Sequence, residues 1–242
     1  MKAIILAGGK GTRLREVIKD VPKPMAPVAG RPFLEYLVLQ LSRWGIRDII
    51  LSVGYREEII KSHFGDGTGL GVGITYSDED EPLGTGGAIR KAAQLINDNE
   101  FIAMNGDSFL DLNYDDFRSF HKEKRAELTL ALAAVPDTSR FGRVDRDKEG
   151  AVVGFSEKGQ GGPGLINGGV YMLKQDAVAH IPEGNISVEH EVFPGLVNHG
   201  LYGMEVKGSF IDMGLPQDYL KLAENPGLIY NSVESGAKFI QL

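Results

Sequence analysis

Lys2 to Leu6 is apolar after its first residue and is followed by a glycine-rich loop, the pattern of a short buried strand. After Pro32, Leu34, Leu37, Val38, Leu41 and Trp44 recur at helical spacing until Gly45 supplies a stop, which predicts an amphipathic helix. Asp48 to Val53 reads as the next strand and Arg56 to Phe64 as a helix. The alternation continues with a strand at Val72 to Ser77, a helix from Thr85 to Leu95, a strand at Phe101 to Asn105, a helix from Tyr114 to Lys124 and an apolar strand at Leu128 to Val135. Beyond it come strands near Arg143 to Val144, Val152 to Ser156 and Leu165 to Leu173, with little helix between them, and a last helix from Pro216 to Ala223. This rhythm predicts an α/β fold: a Rossmann-like, mixed but mostly parallel central sheet covered by helices on both faces. A smaller antiparallel or mixed region is expected in the second half.

Length and composition sharpen the picture. A chain of 242 residues, 42% hydrophobic and 24% charged, fits one soluble domain spanning 1–242. It has no cysteine, which excludes disulfides, thiolate metal sites and cysteine nucleophiles and fits a reducing, cytoplasmic setting. No apolar run approaches the ~20 residues needed to cross a bilayer, and the N-terminus lacks the pattern of a signal peptide. The net charge of -7, from 26 basic and 33 acidic residues, argues against nucleic acid or anionic membrane as a partner. An anionic ligand must be met by local positive charge.

In open sheets of this kind ligands sit beyond the carboxyl ends of the strands. The loops at Ala7 to Arg13, Gly54 to Arg56, before Thr85, and at Gly106 to Ser108 all fall there. The segment Leu6 to Leu14, LAGGKGTRL, matches neither the P-loop nor the dinucleotide fingerprint. Its glycines would let backbone amides converge on phosphate oxygens while Lys10 and Arg13 supply charge, although a plain strand-to-helix turn would use the same residues. In Val21-Pro22-Lys23-Pro24-Met25 the flanking prolines stiffen the chain around one lysine. Asp107, ending the strand in Asn105-Gly106-Asp107, and Asp212, in Phe210-Ile211-Asp212-Met213-Gly214, could share one Mg²⁺ with substrate phosphates. Each aspartate also suits an ordinary turn. Glu157 and Lys158 form an opposite-charge pair after a strand, and the five histidines show no metal-ligand or triad spacing, so they read as structural or surface residues.

Together these segments resemble the sugar-1-phosphate nucleotidyltransferase family, the nucleoside-diphosphate-sugar pyrophosphorylases. LAGGKGTRL is similar to the family's opening signature, VPKPMAPVAGRP to its second, NGD to its magnesium motif, FSEK to its sugar-phosphate motif and IDMG to its second magnesium position. All five occur in the family's order, from Lys2 to about Tyr219. Where many members have proline shortly after the Arg-Leu pair, this chain has Arg15-Glu16-Val17, which resembles the heptose-1-phosphate guanylyltransferase branch. The short tail after the core points the same way and hints at no allosteric appendage.

The resemblance implies transfer of a nucleoside monophosphate from NTP to a sugar 1-phosphate, with release of pyrophosphate and Mg²⁺ as cofactor. A nucleotide-binding part would occupy about 1–135 and a sugar-phosphate-binding part about 136–225. It implies that Leu6, Ala7, Gly8, Gly9, Lys10, Gly11, Thr12, Gly86, Gly87, Asn105 and Gly106 hold the nucleotide, with Arg13 and Lys23 catalytic and Asp107 and Asp212 on the metal. Gly142, Glu157, Lys158 and Asn167 match the sugar-phosphate positions. Glu81 is a candidate reader of guanine, since a carboxylate can accept from its ring N–H and amino group. GTP and D-glycero-D-manno-heptose 1-phosphate are the expected substrates. Mannose 1-phosphate with GTP, or UTP with N-acetylmuramate, glucose or N-acetylglucosamine 1-phosphate, are alternatives, and a non-catalytic sugar-nucleotide sensor is the reading from another class. A monomer or homodimer is expected.

Overall fold

Ile4 packs into one apolar core while its neighbours Ala3 and Ile5 pack into another, because successive strand residues face opposite ways and both faces are covered. The computed structural model describes residues 1–156, 159 and 161–234. The first half runs β1 (Lys2–Leu6), β2 (Pro27–Val28), β3 (Arg31–Pro32), α1 (Phe33–Arg43), β4 (Asp48–Val53), α2 (Glu57–Phe64), β5 (Gly73–Asp78), α3 (Gly84–Ala93) and β6 (Glu100–Asn105). Then come β7 (Ser108–Leu110), α4 (Tyr114–Lys124), β8 (Leu128–Val135), β9 (Arg143–Arg146), β10 (Val152–Ser156) and β11 (Gly164–Lys174). The chain finishes with α5 (Phe193–Leu196), β12 (Leu201–Val206), β13 (Phe210–Asp212), α6 (Pro216–Glu224) and α7 (Gly227–Glu234).

Among the described residues, seven strands form the main sheet in the order β12-β8-β11-β6-β1-β4-β5. Only β11 opposes the others; it pairs antiparallel with both β6 and β8, and the remaining pairs are parallel. The mixed, mostly parallel sheet is therefore as expected, and the second half contributes β11 and β12 to it. Helices α1, α2, α4, α6 and α7 bury residues in one core, and α3 and α5 in the other. The smaller antiparallel element is the β9–β10 pair, with Val152 opposite Arg146 and Ser156 opposite Arg143.

Local chemistry explains the boundaries. Helix α1 buries Phe33, Leu34, Leu37, Val38 and Leu41 and ends in a Schellman turn. There the Ile46 N–H reaches Leu41 O at 3.0 Å and Gly45, at φ 74°, donates to Ser42 O at 3.0 Å. Asn113 caps α4, its Oδ1 accepting from the N–H groups of Asp115 and Asp116 at 3.1 Å. Seven of these elements are absent from the sequence expectation: β2, β3, β7, α5, β12, β13 and α7. A single π-helical turn at Val188–Val192 is also additional.

Candidate functional site

Strands β1 and β6 lie side by side with Leu6 opposite Asn105, so their two following loops leave the sheet together. The Gly106 N–H donates to Leu6 O at 2.9 Å, and a Cβ on Gly106 would stand 2.5 Å from that same oxygen. Only glycine lets Asp107 emerge this close to the first loop. In that loop Gly11 takes φ 54° and passes so near Lys23 that a Cβ would meet the Lys23 Cβ at 2.5 Å. Buried Leu14 anchors the short 3₁₀ turn Thr12–Glu16 and leaves Arg13 exposed.

The stiff lysine segment behaves as its prolines suggest. Pro22 is extended at φ -65° and ψ 152°, Pro24 and Met25 are buried, and Lys23 Nζ donates to Asp107 Oδ2 at 2.6 Å. Asp212 arrives from far along the chain because β13 pairs antiparallel with β7, Asp212 opposite Ser108, and the Met213 N–H donates to Asp107 O at 3.1 Å. Burial raises the Asp212 carboxyl above its ordinary range; the Lys23 charge opposes the rise, the Asp107 charge adds to it, and the Gly214 N–H and Arg140 oppose it more weakly. Arg140 Nη2 lies 3.3 Å from Asp212 Oδ2 and 2.8 Å from Asp218 Oδ2.

These groups border one cavity of about 820 Å³. Of the residues the sequence singles out, Leu6, Gly9, Gly11, Thr12, Arg13, Lys23, Asp107, Gly142, Asn167 and Asp212 line it. Ala7, Gly8, Lys10, Glu81, Gly86, Gly87, Asn105 and Gly106 are not among its lining residues. Glu157 and Lys158 lie outside the described residues. No group of three or more potential ligand side chains occurs among the described residues. Two carboxylates alone suit a hard divalent cation that keeps phosphate oxygens and water as its remaining ligands, so Asp107 and Asp212 fit that role.

The sequence profile described as "Nucleotidyl transferase" matches residues 2–226. The chain belongs to the nucleotidyl transferase family. This transferase is 40% identical over 220 residues to the D-glycero-alpha-D-manno-heptose 1-phosphate guanylyltransferase of Campylobacter jejuni, a match covering 90% of this chain and 97% of the relative. It is also 40% identical over 224 residues to the mannose-1-phosphate guanylyltransferase of Mycobacterium tuberculosis, covering 90% of this chain but only 62% of that protein. Crystal structures of HddC from Yersinia pseudotuberculosis superpose with a TM-score of 0.83, and of 0.82 for its complex with GMP-PN, at 36% identity. Each match covers 92% of this chain and 98% of HddC.

Sequence reasoning missed several cavity residues of this transferase. Arg140 carried no signal beyond its charge, since its importance comes from where the β8–β9 loop places it. Glu189, His190, Phe155 and Phe193 also line the cavity, and His190 is exposed there. Glu79, two residues before Glu81, turns inward over Gly8 and accepts from Ser52 Oγ at 2.8 Å, whereas Glu81 is exposed. The Asp/Glu run Asp78-Glu79-Asp80-Glu81 did contain the inward carboxylate, but spacing alone does not tell which member turns in.

Proposed function

We propose that this nucleotidyl transferase moves GMP from GTP to D-glycero-D-manno-heptose 1-phosphate, releasing pyrophosphate. The observation that carries the reading is the meeting of Arg13, Lys23, Asp107 and Asp212 around one cavity at the strand ends. GTP is supported by the relatives, which are guanylyltransferases, and the manno-configured heptose by those from Campylobacter jejuni and Aneurinibacillus thermoaerophilus. Mannose 1-phosphate is the second reading, favoured by the mycobacterial relative.

The reaction needs two anions held together and in line. A sugar-phosphate oxygen attacks the α-phosphorus and pyrophosphate departs, so little protein acid–base chemistry is required. The loop from Leu6 to Thr12 would receive the triphosphate. Arg13 would stabilise charge on the departing pyrophosphate, and Lys23 would leave its bond to Asp107 for the α-phosphate. Asp107 and Asp212 would hold Mg²⁺, which when bound screens the phosphates and orients them. Gly142 and Asn167, with Glu157 and Lys158, would take the sugar phosphate. For the base, Glu79 joins Glu81 as a candidate reader of guanine.

Pyrophosphate release is measured with Mg²⁺ while GTP, UTP, CTP, ATP and dTTP are crossed against heptose, mannose, glucose, N-acetylglucosamine and N-acetylmuramate 1-phosphates. Release with GTP and the heptose phosphate is expected. Preference for mannose 1-phosphate would select the second reading, and preference for UTP would overturn the base assignment. Asp107→Ala is expected to cut kcat by about a hundredfold or more, the scale of other lost electrostatic contacts, with the fold retained by circular dichroism.

A further inference from the structure

The loop opening α3 and the π-helical turn at Val188–Val192 are bonded to each other. The Gly86 N–H donates to Ile186 O at 2.7 Å and the Ile186 N–H to Leu83 O at 2.8 Å. Thr85 Oγ1 accepts from the Val188 N–H at 2.9 Å and donates to Glu189 Oε2 at 2.9 Å. Gly87 is pressed so closely to this segment that a Cβ would stand 2.2 Å from Gly184 O. The glycines of this loop thus hold the segment that carries Glu189.

π-Helical turns are rare and concentrate at functional sites. Here the turn delivers Glu189 to the cavity wall. Its Oε2 accepts from the hydroxyls of Thr85 and Ser187, at 2.9 and 3.0 Å, while among the described residues its Oε1 accepts only from Tyr171 OH, at 3.3 Å. An ionised carboxylate offers about four acceptor sites, so Oε1 retains one for a ligand. Asn167, on the same cavity, is linked to Glu189 through buried Tyr171, its Nδ2 donating to the phenol oxygen at 2.9 Å. Phe155 and Phe193, stacked with centroids 6.1 Å apart, border this region.

A carboxylate repels phosphate, so this end of the cavity suits the uncharged part of a substrate. An acceptor, an amide and aromatic faces together are the chemistry that binds a polyol ring, through its hydroxyls and its C–H faces. We propose that Glu189 Oε1 accepts a hydrogen bond from a hydroxyl of the sugar 1-phosphate and sets sugar choice, with Thr85 as the positioning residue that aims it. This rests on the sugar-1-phosphate reading above.

The test compares the parent sugar 1-phosphate with its monodeoxy analogues in wild type, Glu189→Gln, Thr85→Val and Thr85→Ser. In wild type, one analogue is expected to lose about tenfold to a hundredfold in kcat/KM, the worth of a hydrogen bond to a charged group. Glu189→Gln should pay that loss with the parent sugar, raise the sugar-phosphate KM, leave the GTP KM unchanged and no longer discriminate against that analogue. Thr85→Val should shift the same way and Thr85→Ser restore the wild-type pattern; these two carry the readout if Glu189→Gln does not fold. Turnover with discrimination unchanged in the variants overturns the proposal alone. No pyrophosphate release by wild type with any sugar phosphate overturns the functional reading, and this proposal with it.

Discussion

Lys23 and Arg140 each neutralise one of the two candidate metal carboxylates, Lys23 on Asp107 at 2.6 Å and Arg140 on Asp212 at 3.3 Å. Such pairing offsets the repulsion between the two carboxylates before anionic substrates arrive. The Arg140 side chain is 40% exposed, so its ion pairs add at most about 1 kcal/mol to stability. Arg140→Gln is therefore expected to leave urea unfolding nearly unchanged while lowering kcat/KM by about tenfold, less than the roughly hundredfold or more lost with a donor that meets the transition state directly. A second residue acts on stability alone. His121 is buried, its Nδ1 lies 2.7 Å from Thr129 Oγ1, and burial pushes its pKa down to about 4. The unfolded chain, near 6.5, then binds the proton more tightly, so this contribution is complete above pH 6.5 and is lost as pH falls toward 4. Wild type should lose about 2 kcal/mol between pH 7 and pH 5 that His121→Gln does not, measured by urea unfolding at both pH values.

At the scale of elements, legibility followed burial. The sequence pattern marks β1, β4, β8, β10 and α4 at the bounds observed; β1, β4 and β8 are largely apolar runs, and α4 carries apolar residues at helical spacing. Strand β12 escaped notice because it is an edge strand with Gly203 at its centre, where Leu132 and Val152 leave no room for a side chain. Strands β7 and β13 are three residues each and exist only as partners of one another. The cavity residues reached from one strand end, such as Leu6 and Asp107, were legible. Those delivered by long-range packing, such as Arg140 and Glu189, were not. Gly106 shows how a chemical motif also serves packing: Gly106→Ala must part β1 from β6, and a loss of about 1 to 3 kcal/mol is expected in thermal or urea unfolding, with activity falling as Asp107 shifts.

Across the whole molecule, a net charge of -7 opposes the approach of GTP and a sugar phosphate, yet Arg13, Lys23, Arg140 and Arg143 gather on the cavity. Local positive charge within a negative field is screened within about 8 Å at 0.15 M salt. The GTP KM is accordingly expected to rise severalfold between 0.05 and 0.5 M NaCl while kcat changes little, since chemistry occurs at close range; equal changes in both would count against this view. The β7–β13 pairing has a consequence in time. Asp107 emerges during synthesis long before Asp212, and the pair meets only when the last part of the chain folds back onto β7. A nascent chain thus displays its glycine-rich loop and lysine while still lacking the second carboxylate. On the proposed metal role of Asp107 and Asp212, catalytic competence is expected only once β13 has paired with β7.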